Sequence, residues 1–495
     1  MFARRVAVVG TGYVGLTTGA CLASLGHAVV CADIDAAKVE RLRRGVVDIV
    51  EPDLAELVAE QVSAGRLSFV VGAAAAVSGF SGVRGASSAG ADGSGLSGGG
   101  APLSAEVLFL CVPTPMGVGG VADLRAVETV IEEVGALLAP GTVVVNKSTV
   151  PVGTAVRTQE MLAWTRSEAE LARRGWTRSE AGLGAEAERD VAVVSNPEFL
   201  REGSAVRDFL HPDRIVVGCD AQDPAERVAA LYARLGAPTV LTDAASAELM
   251  KYAANCFLAM KLSYVNAMAE LCERVGADIG DVTEGIGYDR RIGQAYLSPG
   301  PGWGGSCLPK DTHALLQVAD AADFEFRLLR ATIDTNTRQQ QRIVDKVRQA
   351  VTGRRTGSLS RVRLALLGLT FKAGTDDLRD SPALAIAALL RQAGAELVGY
   401  DPALVPEDVD GVPGRGEVAG VTVVADPVEA AQGAEAVLVL TEWSAFRSLD
   451  WPALASGMKR PIVVDTRNLV DPAVQRRAGL NTIGLGRRGD EAGPA

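Results

Sequence analysis

Cys307 is the residue in this chain best placed to form a covalent bond. It stands in Gly302-Trp303-Gly304-Gly305-Ser306-Cys307-Leu308-Pro309-Lys310-Asp311. Pro309 suits the first turn of a helix, so the thiol falls at or just before a helix start, with Lys310 beside it. Helix N-termini and neighbouring cations both lower a thiol's pKa, and the glycines ahead of Cys307 remove side chains that would block a substrate. A lone cysteine is more often an inert buried thiol; here the setting argues for a nucleophile. Lys251 and Asn255 lie four apart on a long helical stretch and so share a face. An ammonium and an amide there could donate to one developing oxyanion, though a solvated Lys and a packing Asn explain the pair as simply. Glu198 and Glu202, within Asn196-Pro197-Glu198-Phe199-Leu200-Arg201-Glu202-Gly203, follow a strand at the edge where open α/β sheets place ligands. By themselves they could equally be helix-start carboxylates.

Gly10, Gly12 and Gly15, with Tyr13 and Val14 between them, come directly after an apolar strand over 6–9 and open a helix reaching about residue 25. Glycines there let backbone approach a pyrophosphate, and the helix N-terminus offers free N–H groups. A second strand over 28–32 ends at Asp33, where a carboxylate accepts hydrogen bonds from an adenosine ribose and repels a 2′-phosphate. This context, more than the glycines, points to NAD. The three histidines, His27, His211 and His313, lack metal-ligand spacing, so no metal is expected. His27 reads as a turn residue.

Further strands are expected over 107–112, 142–145, 191–194 and 215–217, with helices over 35–44 and 124–138, which together predict an open parallel sheet. Residues 243–275 contain no Gly or Pro and are apolar on several sides, as a helix buried between domains or subunits would be. A strand pattern returns at 362–368 and recurs at 396–400, 437–440 and 462–464, with a helix over 382–393 but no complete Gly-x-Gly-x-x-Gly. The fold class expected is α/β, with two Rossmann-like doubly wound parallel-sheet domains joined by a central helical domain built on a long helix. Their spans are 1–242, 243–345 and 346–487, followed by a polar tail over 488–495. Two segments read as insertions. One is rich in Gly and Ser, running from 79 to about 104, and reads as flexible surface. The other, 164–188, carries Trp-Thr-Arg-Ser-Glu-Ala twice and is too short for a solenoid.

At 495 residues the chain exceeds a single core, and 48% hydrophobic with 22% charged residues is an ordinary globular composition. A formal charge of −11 argues against nucleic acid or an anionic membrane as partner, and no apolar run approaches a membrane span. A cytoplasmic protein acting on a small molecule is expected. Seven cysteines without a Cys-x-x-Cys pair suggest neither a zinc cage nor a disulfide set.

The blocks Gly10 to Gly15, Val112 to Pro115, Lys147 to Gly153, Asn196 to Gly203, Lys251 to Asn255, Arg291 to Gly293, Gly302 to Asp311, Phe371-Lys372 and Asp380 to Pro382 closely resemble the nucleotide-sugar 6-dehydrogenases, the UDP-glucose/GDP-mannose dehydrogenase family. The likeness covers nearly the whole chain apart from the two insertions. It implies an enzyme that removes four electrons from the C6 alcohol of UDP-glucose with two NAD, through a Cys307 thiohemiacetal and thioester. By the same resemblance Lys251 and Asn255 steady the C6 oxygen, while Asp311, with Thr149 and Glu198, activates water. Asp33 and Lys38 contact the cofactor's adenosine ribose. Thr114, Ser148 and Thr149 line the nicotinamide path, and Glu202, Lys310 and Arg379 belong to the cofactor side. The sugar nucleotide is implied to meet Glu198, Phe199, Leu200, Arg201, Lys251, Asn255, the 296–302 loop (Tyr296, Leu297, Ser298, Gly302), Phe371 and Lys372. Arg291 is implied to reach a partner subunit's site, making a homodimer part of binding. Trp303 departs from the Phe or Tyr of many relatives, a change expected to alter pocket size more than mechanism.

Three alternatives stay open: a related sugar nucleotide (GDP-mannose or UDP-N-acetylmannosamine), a two-electron β-hydroxyacid dehydrogenase, and a non-catalytic nucleotide-sugar sensor.

Overall fold

The computed structural model describes residues 3–80, 83, 103–117, 120, 122–174, 190–405 and 415–487. The chain divides into two compact units, 1–253 and 254–495, and the division falls inside the long helix Ala244–Val275.

The first unit is built on eight strands: β1 Arg5–Val9, β2 Ala28–Asp33, β3 Leu67–Val71, β4 Val107–Leu110, β5 Val143–Asn146, β6 Ala192–Ser195, β7 Ile215–Gly218 and β8 Thr239–Thr242. Their order is β3-β2-β1-β4-β5-β6-β7-β8, whose first six follow the dinucleotide-binding arrangement. Apolar runs make these strands because both faces of the sheet are covered. Val8, Cys31, Phe109 and Val145 face one core, and Ala7, Val30, Leu108 and Val144 face the other. Burying each such Val or Leu side chain contributes roughly 1.5–3 kcal/mol. The sheet is not wholly parallel, because β7 meets β6 antiparallel and β8 then follows β7. A 3₁₀ turn, Gly135–Leu137, closes the helix expected over 124–138, so its α-helical part is Arg125–Val134.

The second unit carries β9 Arg363–Leu367, β10 Glu396–Tyr400, β11 Arg415–Val418, β12 Val421–Val424, β13 Ala436–Val439, β14 Ile462–Asp465 and β15 Asn481–Gly484. The order β11-β12-β10-β9-β13-β14-β15 repeats the Rossmann arrangement, with β11 added antiparallel at the edge. Ile343, Val344, Val347 and Val351 of the helix Arg327–Thr352 join its core.

Two expectations change here. Phe80, at the start of the Gly/Ser-rich stretch, is completely buried and belongs to the core, and Val83 and Leu103 pack against that core as well. Most of that stretch lies outside the described residues, as do the second Trp-Thr-Arg-Ser-Glu-Ala copy and the 488–495 tail. The first copy continues the helix Thr154–Arg174. His27 follows the turn after the first helix but is buried, its ring bonded to the Leu231 carbonyl at 3.0 Å. Among the described residues no helix is long and apolar enough to cross a membrane.

Candidate active site

In the first unit, Gly10 takes φ +94° and donates its N–H to the Ala32 carbonyl at 2.8 Å; a Cβ there would lie 2.6 Å from the Cys111 carbonyl oxygen. A Cβ on Gly15 would meet the Gly10 carbonyl oxygen at 1.8 Å. These two glycines are therefore required by the protein itself. Gly12 differs: nothing lies within 4 Å of a Cβ there, and as N-cap of the helix Tyr13–Ser24 it brings no side-chain cap. The open cradle and the uncapped first-turn N–H groups fit a pyrophosphate.

Asp33, at the end of β2, accepts hydrogen bonds from the Thr11 amide (3.0 Å) and hydroxyl (2.5 Å), and Lys38 Nζ stands at 3.3 Å. Burial pushes its carboxyl up, but the Thr11 and Asp35 hydrogen bonds and the Lys38 charge carry it down to about 2. Asp33 is thus a fixed anion at the end of β2. The strand-end loops are tied together, with Thr114 Oγ1 donating to the Thr149 carbonyl (2.9 Å) and Ser148 Oγ to the Val112 carbonyl (2.7 Å).

The loop after β6 holds a buried ion pair. Lys251 Nζ meets Glu198 Oε1 at 2.8 Å, and Glu198 Oε2 accepts the Leu200 amide at 2.6 Å. Burial raises the Glu198 carboxyl, but Lys251, the Leu200 amide and Lys147 outweigh it, so it stays below the ordinary range. Phe199 lies against two cations, with Arg214 Cζ 3.5 Å and Lys251 Nζ 5.4 Å from its ring centroid. Arg201 bonds to Asp208, Nη2 to Oδ1 at 2.6 Å, and Glu202 is half-buried.

Glu51 was not anticipated. Its buried carboxylate accepts the Gly203 and Ala205 amides, each at 2.6 Å, and the Tyr13 hydroxyl, joining the Gly-rich loop to the loop after Glu198. Burial and Glu51 push the Tyr13 phenol far up. No sequence signal marks this link, since Glu51 lies far along the chain from both loops.

In the second unit, Cys307 is the N-cap of the helix Leu308–Ala321, with Pro309 in its first turn, as expected. Its Sγ lies 3.6 Å from Ser306 Oγ. The glycines before it serve a different purpose from the one expected: they admit protein atoms. A Cβ on Gly302 (φ +120°) would lie 2.7 Å from Asn336 Oδ1, one on Gly304 2.0 Å from the Asp380 carbonyl oxygen, and one on Gly305 2.6 Å from the Phe371 ring. The loop is clamped by amides. Asn336 bonds to the Trp303 backbone N–H (2.8 Å) and carbonyl (2.9 Å), while Asn266 accepts the Gly300 N–H (2.8 Å) and Gln339 donates to its carbonyl (2.8 Å). The indole N–H of Trp303 donates to Ser263 Oγ at 2.9 Å, so this residue is committed to the core.

Asp311, with no exposed surface, accepts Asn255 Nδ2 at 2.6 Å and pairs with Lys310 Nζ at 2.5 Å. Lys251 and Asn255 are thus each bonded to a carboxylate, Glu198 and Asp311 respectively. Tyr296 has φ +63°, Leu297 is buried and Ser298 exposed, and Lys261 holds this loop through the Ile292 and Ala295 carbonyls at 3.0 and 2.5 Å. Lys372 Nζ lies 5.4 Å from the Phe371 ring centroid. Arg379 and Arg291 are both largely exposed, held by Asp377 (2.6 Å) and Asp289 (2.5 Å). A cation that sequence reasoning missed is Arg467, whose Nη1 would lie 3.1 Å from a Cβ on Gly300. None of the seven cysteines is disulfide-bonded.

Comparison with known proteins agrees with this geometry. Models of the UDP-glucose/GDP-mannose dehydrogenase family match residues 4–80 and 97–236 (NAD binding domain), 245–338 (central domain) and 365–472 (UDP binding domain). A UDP-glucose 6-dehydrogenase of Rhizobium meliloti is 40% identical over 489 residues, covering 98% of this chain and 99% of its own. One from Pseudomonas aeruginosa is 39% identical, with 98% and 97% covered. The solved structure of a UDP-glucose dehydrogenase from Pyrobaculum islandicum aligns with a TM-score of 0.75 at 33% identity, covering 95% of this chain and 96% of its own.

Proposed function

The chain belongs to the UDP-glucose/GDP-mannose dehydrogenase family, and from that premise we propose that it oxidises the C6 alcohol of UDP-glucose to the carboxylate of UDP-glucuronate, with Cys307 as nucleophile. The observation that carries this reading is Cys307 at the start of the helix Leu308–Ala321, in a loop clamped by Asn336, Gln339 and Asn266. NAD supplies the acceptor for each of two electron pairs. Gly10, Gly12 and Gly15 would cradle its pyrophosphate and Asp33 its ribose, while Lys38, Thr114, Ser148, Thr149, Glu202, Lys310 and Arg379 are assigned to the cofactor by the resemblance alone.

Loss of the first electron pair leaves an aldehyde. The Cys307 sulfur bonds to its carbon and a proton goes to its oxygen, giving a thiohemiacetal. Loss of the second pair gives a thioester. Water then adds at the carbonyl, the C–S bond breaks, the proton returns to sulfur and the carboxylate leaves. Lys251 and Asn255 donate to the C6 oxygen where charge develops, and Asp311 takes a proton from the water with Thr149 and Glu198 in support. The buried pairs Glu198 with Lys251 and Asp311 with Asn255 support these roles, because each donor is already oriented.

We assign residues 1–242 to NAD, 243–345 to dimerisation and 346–487 to UDP. A homodimer is favoured by Phe257, Tyr264 and Leu271, which recur at heptad spacing on the long helix and are 57%, 54% and 47% exposed. Arg291, exposed near that helix's end in sequence, is the residue offered to a partner's site. Consumption of two soluble nucleotides favours the cytoplasm as the place of the reaction. The test is a Cys307→Ser variant given UDP-glucose and NAD. UDP-glucuronate formation should fall by ~10³-fold or more, and a variant slowed during hydrolysis, Asp311→Asn, should carry an acyl adduct on Cys307 by mass spectrometry. Undiminished turnover without the thiol would retire the reading. Turnover compared on UDP-glucose, GDP-mannose and UDP-N-acetylmannosamine tests the sugar.

A further inference from the structure

We propose that Lys147 is a positioning residue for this oxidation: its buried ammonium, bonded to Asn196 at the root of the loop bearing Glu198, keeps Glu198 ionised and in place as the partner of Lys251. The inference rests on the role given to Lys251 above.

Lys147 follows β5 and is 5% exposed. Its Nζ donates to Asn196 Oδ1 at 3.2 Å and lies 5.6 Å from the centroid of the Tyr232 ring. Asn196 is itself fixed, accepting the Tyr232 hydroxyl at 2.6 Å and giving Nδ2 to the Val216 carbonyl at 2.6 Å. The ends of β5, β6 and β7 are therefore stitched beneath one loop, and Glu198 stands two residues beyond Asn196.

A buried ammonium whose hydrogen-bond acceptor is a neutral amide is costly, and an apolar side chain of similar length would fill the space more cheaply. What offsets the cost is charge. The groups facing Lys147 are Glu198 from the loop after β6, Lys251 from the long helix, the Cys111 thiol after β4 and the Tyr232 phenol after the helix Gln222–Leu231. Burial pushes the thiol up to about 12 and the phenol far up, so both are neutral at physiological pH. Arg214, with Asp213 beside it, faces Glu198 as well. Around Glu198 stand Lys147, Lys251 and Arg214, an excess of positive charge that favours an oxyanion near Lys251 and keeps Glu198 ionised. Burial pulls the Lys147 ammonium down to about 8, Glu198 resisting, which puts its proton loss just above neutrality.

The experiment measures NADH formation from UDP-glucose between pH 6 and 9 for the wild type, Lys147→Met and Lys147→Arg. Charge removal should lower kcat roughly tenfold with KM for NAD within about twofold, and should abolish a change in the kcat profile near pH 8. Arg should restore most of kcat and move that change out of the range. Wild-type kcat and profile in the Met variant, or equal losses and equal profiles for Met and Arg, would overturn the inference. Should the Met variant not fold, Glu198→Gln decides: without the anion, the change near pH 8 should move to lower pH, and a fixed position contradicts the proposal. Wild-type protein that forms no NADH from UDP-glucose removes the proposed function and this inference together. Turnover that is indifferent to Lys147 removes only the inference.

Discussion

The two sheets turn the same corner with different consequences. β1 is followed by Gly10 (φ +94°), which donates to the Ala32 carbonyl at 2.8 Å; β9 is followed by Gly368 (φ +92°), which donates to the Tyr400 carbonyl at 2.8 Å. Each neighbouring strand then delivers an aspartate whose carboxylate reaches back. Asp33 takes the Thr11 amide and hydroxyl at 3.0 and 2.5 Å, and Asp401 takes the Thr370 amide and hydroxyl, both at 3.0 Å. Asp401 also accepts the Leu369 amide (2.7 Å), the Ala403 amide (3.0 Å) and the Trp443 indole N–H (3.3 Å), and has no exposed surface. Asp33 retains some exposure. After Gly10 the helix begins at Tyr13, whereas after Gly368 it waits until Pro382. The corner is therefore a device of the open parallel sheet. The dinucleotide is proposed for the corner that is left open, at Gly12 and Asp33, and not for the one whose aspartate is saturated by its own protein.

The largest effects should come where both corners are alike. Gly10→Ala and Gly368→Ala force a Cβ to 2.6 Å from a carbonyl oxygen and 2.4 Å from the Thr441 side chain, at positive φ. Each should cost more than about 3 kcal/mol in denaturant unfolding. Next, Asp401→Asn presents an amide N–H₂ to a ring of donors and should cost about 2–3 kcal/mol, against about 1 kcal/mol for Asp33→Asn. Equal costs would mean the two aspartates do the same work. Gly12→Ala should separate function from fold. With nothing near its Cβ it should leave stability within about 0.5 kcal/mol, yet weaken NAD binding at least ~10-fold by titration calorimetry. The smallest effect is a pH dependence. Because Asp33 is held near 2, below its unfolded value of 3.8, its stabilisation is present above pH 4 and is lost as pH falls toward 2. The stability gap between wild type and Asp33→Asn should therefore be flat from pH 8 to 5 and close below pH 4.

The central strands were legible because they are buried on two faces: β1, β2 and β9 carry apolar runs of four or more residues, and β10 a shorter one at Leu397-Val398, and all four lie within a residue of their expected ends. The strands missed, β3, β8, β11, β12 and β15, are at or beside sheet edges, where one-sided exposure breaks the run; β8 is exposed along most of its length. In the site, Cys307 as helix N-cap followed from Pro309, and Asp33 from the strand preceding it. What stayed hidden were partnerships between residues distant in sequence: Glu51 with Tyr13 and Gly203, Lys147 with Asn196 and Tyr232, and Phe371 over Gly305. Spacing along a chain cannot reveal contacts that only the sheet order creates.

Counting NADH formed from a limiting, weighed amount of UDP-glucose tests the oxidation most directly. Two NADH for each sugar consumed, with UDP-glucuronate as the product, is the expected result. One NADH per sugar, with an aldehyde released, would contradict the role given to Cys307.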